Sequence, residues 1–306
     1  MTRKKPAEVV VVGSIGIDSI KTPWEKRDSI LGGSASFACA AASFFAKVGM
    51  VGVVGTDFPD NYRALYKKFG VDLEGLQTAE GETFRWTGVY EKNMDNRQTI
   101  CTELNVFASF MPILPPSYQN AGFVFLANIS PQLQLHVLEQ TKNPRFVLAD
   151  TMDLWINTAR DDLLKVISRV DMLTLNESEA RHLTGKSGLV KAARVLLEMG
   201  PRYVIIKKGE HGSILFSHSG MFLMPAFPLE DVKDPTGAGD SFAGGFIGAL
   251  TGSGRVTEHA IRRAMLYGSV VASFGVEDFS LDRLATLSRK QIQLRADTLR
   301  EMMRLR

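Results

Sequence analysis

The sequence predicts an α/β protein built on a mostly parallel sheet. Short apolar runs rich in valine, isoleucine and phenylalanine alternate with segments of helical periodicity from Val9 to Met199. Uninterrupted apolar runs are typical of strands buried on both faces, as parallel strands are. The composition, 45% hydrophobic and 23% charged residues, is that of a globular protein and excludes a disordered or fibrous chain.

Strands and helices are predicted in strict alternation. The predicted strands are residues 9–13, 51–54, 123–127, 145–148, 172–175 and 203–206. The predicted helices are residues 36–47, 61–69, 133–141, 159–169, 177–183 and 189–199. Because helices link consecutive strands, we expect a parallel sheet that is covered by helices on both faces.

Two stretches break this alternation. Residues 16–31 have no helical period, and residues 83–90 and 98–104 alternate between polar and apolar side chains around the turn-rich residues 92–96. Such a pattern indicates a β-hairpin. We therefore expect one domain over residues 1–306, with segments of about 16–31 and 73–108 forming a small β lid over one edge of the core.

The net charge of +3 comes from the two ends of the chain. Residues 6–288 contain 27 basic and 31 acidic residues, whereas residues 289–306 hold six basic residues and Arg3, Lys4 and Lys5 add three. We expect the terminal helix to be solvated. A basic stripe with interleaved aromatic residues is missing from the sequence, so no nucleic-acid partner is predicted.

Neither a membrane span nor a disulfide is predicted. The longest apolar stretch, residues 33–55, contains Lys47 and several serine and glycine residues, and it is better interpreted as a buried helix and a strand. Cys39 and Cys101 lie far apart and outside any metal-binding or redox spacing, which indicates free thiols and a cytoplasmic location.

The most informative motif is the segment 234–248, DPTGAGDSFAGGFIG. Pro235 and two glycines form a tight loop that runs into an apolar helix of small residues. Backbone N–H groups and the positive end of a helix dipole converge at such a loop, so the site favours an anion. Asp240, in the first helical turn, would accept the proton of a hydroxyl that attacks a phosphoryl group held there.

The same segment resembles the C-terminal signature D-T-x-G-A-G-D of the ribokinase-like (PfkB) carbohydrate kinases, with Pro235 in place of the threonine. The resemblance implies a ribokinase-like three-layer sandwich with a small β lid. It also implies that Asp240 is the catalytic base and that Gly237, Ala238 and Gly239 form an anion hole.

The resemblance further implies a potassium ion near the first aspartate of the signature and the threonine that follows it. Asp234 and Thr236 match these two positions. The other half of this ion site is not recognisable in residues 272–277.

Asn176 and Glu179 have the spacing of a helix capping box directly after a predicted strand. They also match the N-x-x-E element of the family, which implies that they organise Mg²⁺ and the phosphates of ATP, with Glu179 acting through water.

The turn 207–212, KKGEHG, resembles the nucleotide-edge turn of the family and implies nucleotide contacts from Lys207, Gly209 and Gly212. Neighbouring strand residues point to opposite faces, so at most one of Lys207 and Lys208 should reach the nucleotide.

The acceptor side is matched at Asp18 and at the Gly32-Gly33 turn, which the resemblance assigns to binding of substrate hydroxyls. The run Val11–Asp18 has G-x-x-G spacing with no helix after it, which excludes a dinucleotide-binding oxidoreductase.

Phe37 stands where the family carries an asparagine. A phenyl ring would present an apolar or stacking face to the substrate in place of an amide. Trp24, Phe84 and Trp86 would also suit a less polar acceptor.

These features predict an ATP-dependent phosphotransferase that phosphorylates a hydroxymethyl group of a sugar. A nucleoside kinase is the alternative, favoured by Phe37, and a phosphosugar acceptor rests only on Arg97. A nucleotide-binding regulator without turnover would need a defective site, whereas Asp240, Asn176 and Glu179 are all present. The expected cofactors are ATP and Mg²⁺, with K⁺ added by resemblance, and a homodimer through the lid is also expected by resemblance.

Overall fold

The structure, a computed structural model, describes residues 7–94 and 97–304. Within these residues the strands are β1 (Val9–Val12), β2 (Gly16–Lys21), β3 (Lys26–Gly32), β4 (Val48–Gly55), β5 (Asp72–Ala79), β6 (Phe84–Tyr90), β7 (Arg97–Glu103), β8 (Phe123–Leu126), β9 (Phe146–Asp150), β10 (Met172–Asn176), β11 (Tyr203–Lys207), β12 (Ser213–Ser217) and β13 (Gly220–Met224).

The α-helices of the same residues are α1 (Ser34–Ser43), α2 (Asp60–Lys68), α3 (Pro131–Gln140), α4 (Asp153–Thr158), α5 (Arg160–Ile167), α6 (Glu177–Thr184), α7 (Leu189–Glu198), α8 (Ala238–Ser253), α9 (Glu258–Gly275), α10 (Asp282–Ala285) and α11 (Arg289–Met302). None of these helices is long and apolar enough to cross a membrane.

A large sheet in the order β13-β12-β11-β10-β9-β8-β1-β4-β5 forms the centre of the described chain. The strands from β11 to β5 in this order are parallel, and β12 and β13 are antiparallel additions at one edge. Alternate residues of β1 enter two different cores. Val9 and Val11 pack with α1, α8 and α9, whereas Val10 and Val12 pack with α3, α5 and α7. The predicted α/β fold with a mostly parallel, doubly covered sheet is confirmed.

A second, smaller sheet has the order β3-β2-β6-β7. Strands β6 and β7 form the predicted hairpin, and the parallel pairing of β2 with β6 joins the two stretches that break the strand–helix alternation. The prediction is wrong for residues 73–79, because β5 pairs with β4 as the last strand of the large sheet. Strand β5 lies at the edge of the large sheet and is mostly only half-buried, so it lacks the continuous apolar run that marks the inner strands.

Three helical segments also differ from the prediction. Helix α1 ends at Ser43 rather than at residue 47. The predicted helix 159–169 is α5, which begins only at Arg160, because Ala159, with φ −142° and ψ 37°, is not helical and separates it from the short α4. Helix α11 is not fully solvated, because Ile292, Ala296 and Leu299 are buried and Arg295 pairs with Glu277. The basic residues Arg3, Lys4, Lys5 and Arg306 lie outside the described residues.

Helices α1 and α8 run side by side in the same direction and pack backbone against backbone. A Cβ atom placed on Gly244 would lie 2.3 Å from the carbonyl oxygen of Ala38, and one on Gly248 would lie 2.6 Å from that of Ala42. Any side chain at these two glycines would therefore push the helices apart. Helix α1 begins at the Gly32-Gly33 turn and α8 begins at the loop 234–240, so this packing brings the two loops together.

Candidate active site

The polar residues predicted for the nucleotide side lie at the carboxyl ends of adjacent parallel strands. Strand β9 ends at Asp150, β10 at Asn176 and β11 at Lys207, and Asn176 is the register partner of Lys207. Ligands of open α/β sheets bind at this edge, since the loops that follow the strands meet there.

The loop 234–240 leads into the first turn of α8, and Gly237 is the N-cap residue, in the left-handed conformation with φ 73° and ψ 5°. The prediction that Ala238 belongs to the anion hole is wrong in this structure, because its N–H donates to the carbonyl of Pro235 at 3.1 Å. No side chain among the described residues caps this helix, which leaves the Gly237 and Gly239 N–H groups for a ligand. A Cβ atom on Gly237 would lie 2.4 Å from the ring of Phe37, so conformation and space both require glycine here.

Asp240 lies in the first turn of α8, beside these amides. Burial raises the pKa of its carboxyl to about 7, and the nearby Asp150 carboxylate adds to this effect. Lys207 and Arg97 act in the opposite direction. The group is therefore poised to exchange a proton near neutral pH, as a general base must.

Asp18, on β2, is a buried carboxylate that faces the same loop. Its side chain is 4% exposed, and its Oδ1 has no hydrogen-bond partner among the described residues. Burial raises its pKa to about 8, and the charges of Asp234 and Asp240 also raise it. A buried carboxylate oxygen without a donor is costly, so this oxygen is suited to accept a hydrogen bond from a ligand hydroxyl.

The Gly32-Gly33 turn makes room for Asp18. A Cβ atom on Gly32 would lie 1.8 Å from Oδ2 of Asp18. Gly33, the N-cap residue of α1, has φ 94°, and a Cβ atom there would lie 2.5 Å from the carbonyl oxygen of Ser14. Both glycines thus allow a close approach of chain segments around the carboxylate.

Asp234 is buried at the start of the loop, with Oδ1 accepting a hydrogen bond from the Thr236 N–H at 2.9 Å. Oδ2 has no partner among the described residues, and burial raises the pKa of the carboxyl to about 6. The segment 276–280 lies against it, since the Asp234 N–H donates to the carbonyl of Val276 at 3.4 Å and the nearby Ser280 N–H acts to lower the pKa of the carboxyl. These contacts come from backbone groups, so the side chains of residues 272–277 carry no sign of them in the sequence.

Asn176 and Glu179 form the capping box that their spacing predicts. The Glu179 N–H donates to Asn176 Oδ1 at 2.9 Å, and the Asn176 N–H donates to Glu179 Oε2 at 2.7 Å. Burial raises the pKa of Glu179 to about 7, against the attraction of Lys207. The carboxylate is thus fixed in position beside the group of charges at the strand ends.

Of the two adjacent lysines, Lys207 points into the site. Its Nζ donates to Asp150 Oδ2 at 2.8 Å and would lie 3.1 Å from a Cβ atom on Gly239. Gly209 opens a 3-10 turn between β11 and β12, and Gly212, with φ 83°, lies against the backbone of Met224. Sequence reasoning missed Asp150; an acidic residue directly after a predicted buried strand was the available signal.

One face of the small sheet looks toward the loop 234–240. Asp18 and Trp86 are register partners on β2 and β6, and Arg97 on β7 is the partner of Tyr90 on β6. The Tyr90 hydroxyl lies 2.9 Å from the hydroxyl of Thr236, which joins this sheet to the loop. Tyr90 was not identified from the sequence, because nothing in a strand pattern marks a tyrosine that bonds across 146 residues.

The aromatic residues proposed for the acceptor side differ in their positions. Phe37 is 3% exposed and its ring supports Gly237 from below, so it offers no open face to a substrate. Trp24 is 69% exposed at the β2–β3 turn, and Phe84 packs on Phe107. Phe84 and Trp86 both share a face with Asp18, since Phe84 is the register partner of Gly16 and Trp86 is that of Asp18, and the indole of Trp86 lies over Gly88.

An anion cradle, a nearby carboxylate base and a buried acceptor carboxylate define a phosphotransferase acting on an alcohol. The model of the pfkB family of carbohydrate kinases matches residues 7–280, so the chain belongs to this family. Cytidine kinase of Thermococcus kodakarensis is 33% identical over 262 residues, which cover 83% of this chain and 92% of that protein. The prediction of an ATP-dependent kinase for a sugar or a nucleoside is confirmed at this level.

Solved structures agree with the fold. The nucleoside kinase of Methanocaldococcus jannaschii has a TM-score of 0.77 and 21% identity, over 96% of this chain and 100% of that one. A protein described as a ribokinase II of E. coli, in complex with ATP and Mg²⁺, has a TM-score of 0.78 and 20% identity, over 95% and 99%. At these identities the likeness establishes the ribokinase-like fold.

Proposed function

We propose that the protein is a nucleoside kinase that transfers the γ-phosphoryl group of ATP to the hydroxymethyl group of a ribonucleoside. The observation that carries this choice is the position of Trp86 beside Asp18 on the inner face of the small sheet. A carboxylate suits the ribose hydroxyls, and an indole ring next to it suits a planar base. The similarity to a cytidine kinase supports the same choice.

Arg97 strengthens this assignment. Its guanidinium carbon lies 5.2 Å from the centre of the Trp86 ring, and the Trp86 Nε1–H donates to Thr99 Oγ1 at 3.2 Å. These contacts hold the indole in one orientation. Every nucleobase has a planar π-face that stacks on such a ring, whereas ribose offers only the C–H groups of a small, puckered ring.

In the proposed reaction, Asp18 with the Gly32-Gly33 turn orients the acceptor. The hydroxymethyl oxygen attacks the γ-phosphorus, the bond from phosphorus to the β–γ bridging oxygen breaks, and ADP leaves with that electron pair. Asp240 takes the hydroxyl proton. The amides of Gly237 and Gly239 donate to the phosphoryl oxygens during the transfer.

The nucleotide is proposed to lie along the ends of β10 and β11. Asn176, Glu179 and Lys207 would face its phosphates, and Gly209 and Gly212 would shape the turn beside it. When bound with ATP, Mg²⁺ supplies positive charge to the phosphates. The Glu179 carboxylate, held in position by the Asn176 N–H, fits a role in holding the water shell of that ion.

A potassium ion is proposed next to Asp234 and Thr236. The unpaired Oδ2 of Asp234 and the adjacent backbone of residues 276–280 support this site, since K⁺ is held by oxygen atoms. Turnover measured with KCl and with NaCl at equal ionic strength tests it.

The small sheet is proposed to act as a lid and to pair with a second copy. All residues of β7, an outer strand of the lid, are exposed, including Ile100. An exposed edge strand is suited to pair with another chain. Sedimentation velocity tests the homodimer. The cytoplasmic location stays a prediction, supported by the free thiols of Cys39 and Cys101.

The acceptor is tested by ADP release with cytidine, other nucleosides and free ribose. We expect a higher kcat/KM for a nucleoside than for ribose. Base stacking on an aromatic ring contributes roughly 1–3 kcal/mol. Trp86→Leu should therefore raise the nucleoside KM by about 5- to 100-fold and leave the ribose KM unchanged.

The matched control is Trp24→Leu, which removes an exposed indole of the same sheet and should change neither constant. A wild-type enzyme that prefers free ribose, or an equal effect of Trp86→Leu on ribose and nucleoside, would contradict the nucleoside assignment.

A further inference from the structure

Asp150 and Lys207 form a buried ion pair at the ends of two strands that flank β10. Lys207 Nζ donates to Asp150 Oδ2 at 2.8 Å, and the Lys207 side chain is 18% exposed. The other carboxylate oxygen of Asp150 accepts the Thr151 N–H at 2.9 Å. Both oxygens of Asp150 are therefore bound, which fixes the direction in which the carboxylate faces the ammonium.

The ammonium also lies against the catalytic loop. A Cβ atom on Gly239 would lie 3.1 Å from Lys207 Nζ, 3.8 Å from Cε and 3.9 Å from Cδ of the same side chain. Gly239 is the last residue of the anion cradle and directly precedes Asp240 in the chain. The cation is thus next to the point where the loop would hold the transferred phosphoryl group.

A lysine that serves only the fold does not need this placement. Lysine has four rotatable carbon–carbon bonds and ordinarily extends its ammonium into water. Here the chain is folded inward, where Asp150 offsets the cost of removing the charge from water.

We propose that Lys207 is a catalytic residue that stabilises the charge on the phosphoryl oxygens during transfer, and that Asp150 is a positioning residue that holds its ammonium against the loop at Gly239. The inference rests on the kinase activity of the family and is independent of which acceptor is used. A fixed cation in a site shielded from water acts on developing negative charge without reorganisation.

Other charges also face these groups, so their contributions define the expected pH behaviour. Asp240 is faced by Asp150, Lys207 and Arg97, and burial is the largest influence on its pKa. Lys207 is faced by Asp150, Glu179 and Asp240, which together keep it protonated. Removal of the Lys207 charge should therefore raise the pKa of Asp240, and removal of the Asp150 charge should lower it.

The test compares Lys207→Met, Lys207→Arg and Asp150→Asn by steady-state kinetics with the best acceptor of the substrate panel. We expect Lys207→Met to lower kcat by about 100- to 1000-fold, as loss of a transition-state donor does, with an acceptor KM within threefold of wild type. Asp150→Asn should lower kcat by about 10- to 100-fold through misplacement of the ammonium. Lys207→Arg, which keeps the charge, should exceed the kcat of Lys207→Met by at least about tenfold.

The pH profile separates this role from a structural one. Lysine lowers the pKa of Asp240 and Asp150 raises it. The acidic limb of kcat/KM should therefore move to higher pH in Lys207→Met and to lower pH in Asp150→Asn. A purely structural pair would reduce activity in both variants without opposite displacements.

Asp171→Asn is the matched control. Asp171 accepts the N–H of Val147 on β9 and lies 3.6 Å from Arg202, but at the opposite end of the sheet. Its loss should leave the kcat and the pH profile unchanged.

Three results would overturn the proposal. They are an equal kcat in Lys207→Met and wild type, an equal loss of kcat in Lys207→Met and Lys207→Arg, or acidic limbs of kcat/KM that move in the same direction in Lys207→Met and Asp150→Asn. If Lys207→Met does not fold, the arginine and Asp150→Asn variants decide the question by the same criteria. Failure of the nucleoside assignment would show separately as preference for a sugar, and these variants would then be compared with that sugar.

Discussion

The large and small sheets differ in how deeply their strands are buried. Every residue of β1, β4, β8 and β9 is buried, whereas every residue of β7 is exposed. The large sheet and its helices carry the groups that we propose to bind the phosphates, at the ends of β9, β10 and β11 and at the start of α8. The small sheet carries the groups that we propose to face the acceptor.

This division follows from what each task requires. The rate of phosphoryl transfer falls steeply when the reacting groups are displaced by about an ångström. The residues that position these groups are therefore expected on buried, rigid elements. An acceptor must enter and its product must leave, so the elements that cover it must open. The lid is joined to the catalytic loop by the Tyr90–Thr236 contact and to the core by the Ser280 hydroxyl, which donates to the carbonyl of Leu31. Variants of the two sheets should therefore fail in different kinetic constants.

The largest effect is expected at Asp240, on the phosphate side. Asp240→Asn keeps the shape of the side chain but cannot accept the proton, so kcat should fall by about 10²- to 10⁴-fold while the affinity for an ATP analogue stays within threefold. Because the base must be ionised, wild-type kcat/KM should rise with pH through about 7, and the variant should lack this limb. Steady-state kinetics and calorimetry of analogue binding measure both. Ser241→Ala, at the next buried residue, should keep its kcat; unchanged turnover in Asp240→Asn would remove the basis of the mechanism.

An intermediate effect is expected at Asp18, on the acceptor side. Leaving a buried hydrogen-bonding group without its partner costs about 1–3 kcal/mol, so Asp18→Asn, which puts an amide N–H₂ where the acceptor hydroxyl is bound, should lower kcat/KM for the acceptor by about 5- to 100-fold, with an unchanged KM for ATP.

The same variant should gain stability at alkaline pH. The pKa of Asp18 is raised from 3.8 to about 8, so the native state holds a proton that the unfolded state releases first. Stability from this group is present at low pH and is lost as pH rises from about 4 to about 8. Thermal melts should thus show a smaller decline of Tm between pH 5 and pH 9 in Asp18→Asn than in wild type. Asp28→Asn, an exposed carboxylate of the same sheet, should follow wild type; a parallel decline in Asp18→Asn would contradict the raised pKa.

The smallest effect is expected at Tyr90, where the two regions meet. Tyr90→Phe removes one neutral hydrogen bond, of about 0.5–1.5 kcal/mol, and should lower kcat/KM by about 2- to 10-fold through weaker closure of the lid. Tyr62→Phe is the control, because the Tyr62 hydroxyl also joins the core to the lid, at Ser29, but away from the catalytic loop. A loss as large as that of Asp240→Asn would show that the hydroxyl takes part in the chemistry.

The sequence predicted the core better than the lid, for a physical reason. Buried parallel strands are apolar throughout, so β1, β8 and β10 are recognisable from composition alone. The loop 234–240 is recognisable because an anion-binding loop at a helix start needs its glycines and Asp240 at fixed positions in the sequence. Strand β5 was assigned to the wrong sheet because a half-buried edge strand has no continuous apolar run, so nothing in its composition separates it from the lid strands that follow it.

The residues that sequence reasoning misplaced or missed act through contacts between distant segments. Phe37 was expected to touch the substrate, yet its ring supports Gly237, and only a folded chain brings residue 37 beneath residue 237. Asp150 and Tyr90 meet Lys207 and Thr236 in the same way. Spacing along the chain carries no information on such pairs.

The backbone contact between α1 and α8 has a consequence for how this enzyme could change its acceptor. Gly244 and Gly248 set the separation of the two helices, and so of the two loops that begin them, by the thickness of two main chains. A side chain at either glycine would push the helices apart and displace the loop 234–240 as well, so this contact cannot accommodate a bulkier acceptor without disturbing that loop. A change of acceptor would therefore have to arise in the strands of the lid, which makes substrate range and phosphoryl chemistry separately adjustable modules of one chain.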